Sequence, residues 1–199
     1  MAYFPLFNIT NVSGFTTLAN FSPNNWERTV KGDLFVTSFR TDGHAWRSQE
    51  EGILKEGEFK TFQIEQFDLA MDQVESEIVL FQLNPEKQST ALSTLPVDHF
   101  VSTNFPEWRA TVGFKKNGAQ ASYQGEVNPF PAKASLLTFH PFIQIHETEN
   151  FLVLLNVESS PTFRWSDLEI YNSATREKID IIKVRNNCAN VIPLDKYNL

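Results

Sequence analysis

Hydrophobic and polar positions alternate with a period of two along several short stretches of the chain, most clearly on either side of Asn117-Gly118. An Asn-Gly pair between alternating runs marks the two-residue loop of a type I′ hairpin, whose central residues both need φ > 0. Counting outward sets Lys116 opposite Ala119, Phe114 opposite Ala121, Val112 opposite Tyr123, Thr111 opposite Gln124 and Arg109 opposite Glu126. Val112, Phe114 and Tyr123 then share an apolar face. Arg109, Thr111, Gln124 and Glu126 share a polar one.

The same period predicts a strand over residues 33–40, with Phe35 and Phe39 on one side. Asp42-Gly43 follows as a second two-residue turn, opposing Thr41 to His44 and Phe39 to Trp46. Its return strand is weakly supported, because residues 48–52 are polar. Residues 59–65 read as a strand leading into a short helix or turn, and 66–77 is the one stretch that fits a helix. Residues 78–83 form an apolar run. Residues 84–107, with Pro85, Pro96 and Pro106, form a long irregular connection of the kind that is often functional. Residues 136–146 alternate again, and the nearly continuous apolar run 151–157 predicts a strand buried on both faces. Strands over 167–171 and 179–184 complete the set. Near the start, residues 4–21 are apolar but broken by Pro5, Asn11 and Gly14, which suggests one or two short strands or an ordered N-terminal arm over 1–22. Roughly nine or ten short strands separated by turn signals predict an all-β chain. The expected architecture is one antiparallel β-sandwich domain over residues 1–199, jelly-roll-like, with at most one or two short helices.

Composition agrees with strands: the 199 residues include 18 Phe, 4 Trp and 4 Tyr, types that suit a pleated, half-buried surface. A net charge of −7 without a Lys/Arg cluster argues against nucleic acid and anionic lipid as partners. No run of 18 apolar residues predicts a membrane span, and residues 1–18 lack the pattern of a secretory signal, so the cytoplasm is the default expectation. The single cysteine, Cys188, excludes an intramolecular disulfide and reads as a buried apolar filler.

Candidate chemistry centres on the polar hairpin face. Arg109, Thr111, Gln124 and Glu126, with Trp108 and His140 nearby, are the expected ligand-binding residues. Arg109 and Glu126 also fit a cross-strand ion pair. In an extended segment Thr138, His140, Phe142, Gln144 and His146 share one face. His140 and His146 are thus the one candidate pair for a divalent metal, yet about 20 Å of strand separates them at 3.3 Å per residue, and a groove-lining role fits them better. Glycine-rich phosphate loops, zinc cysteine motifs and a Gly-x-Ser-x-Gly elbow are absent. Trp26, Trp46, Trp108 and Trp165 each sit beside charged residues, a context that places an indole at a core edge or a groove rim.

Three functional readings fit these residues. The first is a non-enzymatic binding or assembly module that needs no cofactor and recognises carbohydrate or a protein through a polar-aromatic sheet face. The second is a jelly-roll enzyme that uses a divalent metal or carboxylates on a sugar-like small molecule. The third is a structural subunit of a larger assembly, homo-oligomers included, which exposed apolar residues in the N-terminal arm would favour.

Overall fold

The computed structural model describes residues 3–20, 32–70, 75–85, 91–95, 110–124 and 148–197, although not the side chains of Ala91 and Gln124. Among these residues, fourteen strands and two single 3-10 turns make up the regular structure, and every strand pairing is antiparallel. A five-stranded sheet follows the order β1-β7-β3-β4-β8, formed by Phe4–Leu6, Val79–Asn84, Leu34–Thr41, Trp46–Leu54 and Ala91–Leu92. A four-stranded sheet follows the order β10-β9-β2-β5, formed by Ala119–Gln124, Ala110–Lys116, Ser13–Ala19 and Phe59–Gln63. A three-stranded sheet runs β11-β14-β6, from Phe151–Leu155, Ala189–Pro193 and Glu75–Ser76, and β12 (Trp165–Tyr171) pairs with β13 (Lys178–Arg185) as a separate hairpin. Among the described residues the sheets have five, four, three and two strands.

Alternation in the five-stranded sheet feeds two cores. Val79, Phe81 and Leu83 join Phe4, Leu6, Leu34 and Val36 against Leu18, Phe62 and Ala110 of the four-stranded sheet. Leu80, Tyr3, Phe7, Phe39 and Trp46 point the other way, toward Val157 and Ala189, with Val153 and Leu155 packed alongside. Every residue of β7 is therefore buried. Its polar members are satisfied internally, since Asn84 donates to Gln82 and Gln82 bonds the Tyr3 hydroxyl, whose pKa burial nonetheless pushes up. The N-terminal stretch supplies β1 and β2, and its apolar residues Tyr3, Phe4, Leu6, Phe7 and Leu18 are buried.

A one-residue bulge lets β4 serve both cores. Val36 pairs with Gly52 and Thr37 with Glu50, which leaves Glu51 as the extra residue. An extra residue reverses the face on which later side chains lie. Trp46 consequently enters one core and Leu54 the other. The intervening Arg47, Gln49 and Glu51 line an open groove, so the polar composition of this strand reflects its setting.

Several sequence expectations need correction. The Asp42-Gly43 turn is longer than two residues: Thr41 pairs with Trp46, and the Asp42 carboxylate accepts bonds from the backbone of His44 and Ala45 at 2.9 and 3.0 Å. Such an Asx turn closes a loop without a tight I′ pair. The run 151–157 is not buried on both faces. Each residue of β11 is only half-buried, and the fully buried stretch of that sheet is Ala189 to Ile192 of β14. Over 66–77, of which 71–74 lie outside the described residues, the structure holds the end of the 3-10 turn Ile64–Gln66 and the strand Glu75–Ser76 rather than an α-helix, and Phe67 and Leu69 turn toward the first core at strand spacing. Along the apolar hairpin face burial falls off from β9 to β10: Val112 is 1% exposed, Phe114 half-buried and Tyr123 47% exposed.

Candidate functional site

The Asn117-Gly118 turn has φ of 50° and 83° at its two residues, and the strands pair as counted, Thr111 opposite Gln124. Thr111 also pairs with Thr17 of β2, and Thr17 with Thr61 of β5. A row Thr61–Thr17–Thr111–Gln124 therefore crosses all four strands, with the Thr17 and Thr61 hydroxyls bonded at 2.8 Å. One step along, Gln63, Phe15, Gly113 and Ser122 make the next row on the same face. Ser13, Lys115 and Gln120 form a third.

Phe15 is the aromatic centre of this outer face. A Cβ placed on Gly113 would lie 2.3 Å from the Phe15 ring, so the ring comes up against the glycine backbone, and Phe15 is half-buried there. Only glycine gives an aromatic that close an approach to a neighbouring strand. Lys115 holds one border, bonded to Gln63 and 3.6 Å from Glu65. That cation and a bond from Ser13 act with a backbone N–H, the largest influence, to hold the Glu65 carboxyl below its ordinary range. At the far border, Phe59 is 75% exposed opposite Ala19.

Thr111 and Gln124 are thus the sequence-predicted site residues that the structure describes, on one row of one face. Trp108, Arg109, Glu126, His140 and His146 lie outside the described residues. Phe15, Thr17, Thr61 and Gln63 went unrecognised because they belong to strands distant in sequence. Alternation in 13–19 and 59–63 signals two strands but not their neighbours.

A second feature lies on the other side of β5. An open groove of about 800 Å³ is lined by Ser38 and Arg40 of β3, Arg47, Gln49 and Glu51 of β4, Lys60 and Phe62 of β5, and Gln66 to Asp68. Arg47 grips Asp42 through Nε and Nη2 at 3.2 and 2.9 Å. These bonds and those from the His44 and Ala45 backbone, the latter two foremost, hold the Asp42 carboxyl well below the usual carboxylate range. Trp46, one of the tryptophans flagged by context, is fully buried and donates Nε1–H to Ser159 O at 2.9 Å, while Trp165 is 57% exposed. Among the described residues no cluster of His, Cys, Asp or Glu is placed to hold a metal ion, and no helix is long and apolar enough to cross a membrane.

The fold defines the class of protein, an antiparallel all-β chain. No family model, curated protein or solved structure matches the chain.

Proposed function

We propose that the protein is a non-enzymatic binding module that recognises carbohydrate on the outer face of the β10-β9-β2-β5 sheet. One observation carries this reading: the Phe15 ring laid over Gly113 amid the threonine and amide rows. A sugar ring presents C–H groups on its faces and hydroxyls at its rim. A flat aromatic surface packs on the former, and Thr, Gln and Ser side chains exchange hydrogen bonds with the latter. The face is preformed by backbone pairing in four strands, so little ordering entropy opposes binding.

A glycan array with the purified protein, followed by titration of any hit, tests the reading. Phe15→Ala and Gln124→Ala should weaken binding at least about tenfold, the loss expected for one well-made contact, while the denaturation midpoint changes little for Gln124→Ala. Binding that survives both substitutions would move the site off this face. Recovery of a protein partner whose capture depends on Phe15 would keep the face as the site but replace carbohydrate with protein.

A further inference from the structure

We infer that the groove between β4 and β5 is a second binding site, selective for a neutral, hydroxyl-rich ligand of oligosaccharide size. The site is independent of the outer face: Lys60 and Phe62 enter the groove, while Phe59, Thr61 and Gln63 of the same strand lie on the opposite side. Its volume, about 800 Å³, lies within the range of small-molecule sites.

Charge sets the ligand class. The lining cations Arg40, Arg47 and Lys60 face four carboxylates, Asp42, Glu51, Asp68 and Glu77, and each cation already has an acceptor. Arg47 holds Asp42 by two bonds. Arg40 donates to Asp68 O at 2.9 Å and reaches Glu77 at 3.5 Å. Lys60 donates to Glu51 O at 2.7 Å and sits 4.8 Å above the Phe62 ring. An anionic ligand would have to break these pairs in a groove with one more carboxylate than cations, inside a chain of charge −7. A cationic ligand would find three of the four carboxylates already bonded, Asp42 to Arg47, Glu51 to Ser38 and Glu77 to Arg40, and would lie beside Arg40 and Lys60. A neutral ligand disturbs neither sign.

Hydrogen-bonding capacity is nevertheless left over. The Gln49 amide and the Asp68 carboxylate line the groove, with no partner among the described residues. Gln66 spends its Oε1 on the Gln63 N–H at 3.0 Å and keeps its amide N–H groups. Amides and carboxylates in this proportion suit hydroxyl groups, which both donate and accept.

Phe67 supplies the apolar platform. The Phe62 ring stacks on Phe81 at 4.4 Å and carries the Lys60 ammonium on its other side, so both its faces are used. Phe67 meets Phe81 edge-on, at 5.7 Å and 69°, and is only partly buried. It also meets Phe62, tilted, at 6.4 Å and 49°, and the half-buried ring lines the groove.

The test is titration of the intact protein with neutral gluco-, manno- and xylo-oligosaccharides and with uronic-acid and sulfated counterparts of the same lengths. Neutral oligosaccharides should bind, with Phe67→Ala and Gln49→Ala each weakening them at least about tenfold, Phe67→Tyr retaining binding, and Phe15→Ala on the outer face leaving this site unchanged. Gln49→Ala is on a solvent-facing groove wall and tests the site even if Phe67→Ala fails to fold. Acidic counterparts that bind as tightly as neutral ones would overturn the inference, as would neutral binding indifferent to both groove substitutions or no neutral binding at millimolar ligand. Loss of all glycan binding in Phe15→Ala alone would leave the outer-face reading standing and remove this one.

Discussion

At Gly14 and Gly118 the same residue type is required for opposite reasons. Gly118 has φ of +83° and open space around a would-be Cβ, whereas a Cβ on Gly14 would lie 1.9 Å from the Phe7 carbonyl oxygen. Gly118→Val should therefore cost about 1–3 kcal/mol of backbone strain. Gly14→Ala must displace a backbone atom buried beside the second core, and its loss should exceed about 3 kcal/mol. Denaturant midpoints of both variants check the ranking, and a Gly14→Ala midpoint equal to the parent's would contradict the close approach. Gly118 was legible in the sequence because an Asn-Gly loop needs its φ. Gly14 looked like a strand-breaker, because nothing local announces that β1 and the chain after it run against it. Cys188 is likewise buried as expected, with its thiol pKa raised by loss of solvent.

Among the elements, β4 shows most clearly how one residue changes a strand. Deleting Glu51 would restore a regular ladder with Gly52 and force either Trp46 or Leu54 out of its core. The expected cost, about 3–5 kcal/mol by comparison with large core truncations, contrasts with Glu51→Ala, which keeps the residue count and loses only a half-buried bond from Ser38 at 2.7 Å. Circular dichroism with urea titration of the two variants separates the roles, and equal midpoints would mean that the bulge does not set the register. The β9–β10 hairpin was readable because its partners are neighbours in sequence, whereas β12 and β13 were expected as strands without their pairing. β4 was doubted, since a strand whose middle residues line a groove lacks the alternation that marks a half-buried one. The two-residue reading of Asp42-Gly43 failed for a related reason: a side-chain carboxylate can close a longer loop, and Gly43 is held beside the Phe163 ring, 2.8 Å from a would-be Cβ, by chain 120 residues away.

For the molecule as a whole, acid sensitivity follows from carboxylates held by neighbours. Asp180 of β13 accepts bonds from Tyr197, Lys196 and its neighbour Ile181 at 2.7, 3.0 and 2.8 Å, which lower its pKa to about 2. A folded pKa below the unfolded one gives stability that is full above the unfolded value, near 4, and is lost as pH falls through the folded value. Asp42 and Glu169 are shifted in the same direction. Thermal midpoints should therefore fall between about pH 4 and pH 2, and Asp180→Asn should flatten part of that fall. An unchanged pH profile in the variant would remove Asp180 from the account. The sequence by itself determined the all-β character, the tight hairpin with its register, and the polar row from Thr111 to Gln124. Period-two alternation encodes which face of a strand is buried, and turn residues encode where the chain reverses. Only the tertiary structure decided that β2 lies between β9 and β5, that Phe15 rests on Gly113, and that β4 and β5 border a groove. Burial of apolar surface is non-directional, so alternating segments fit several neighbours equally well until all of them pack together.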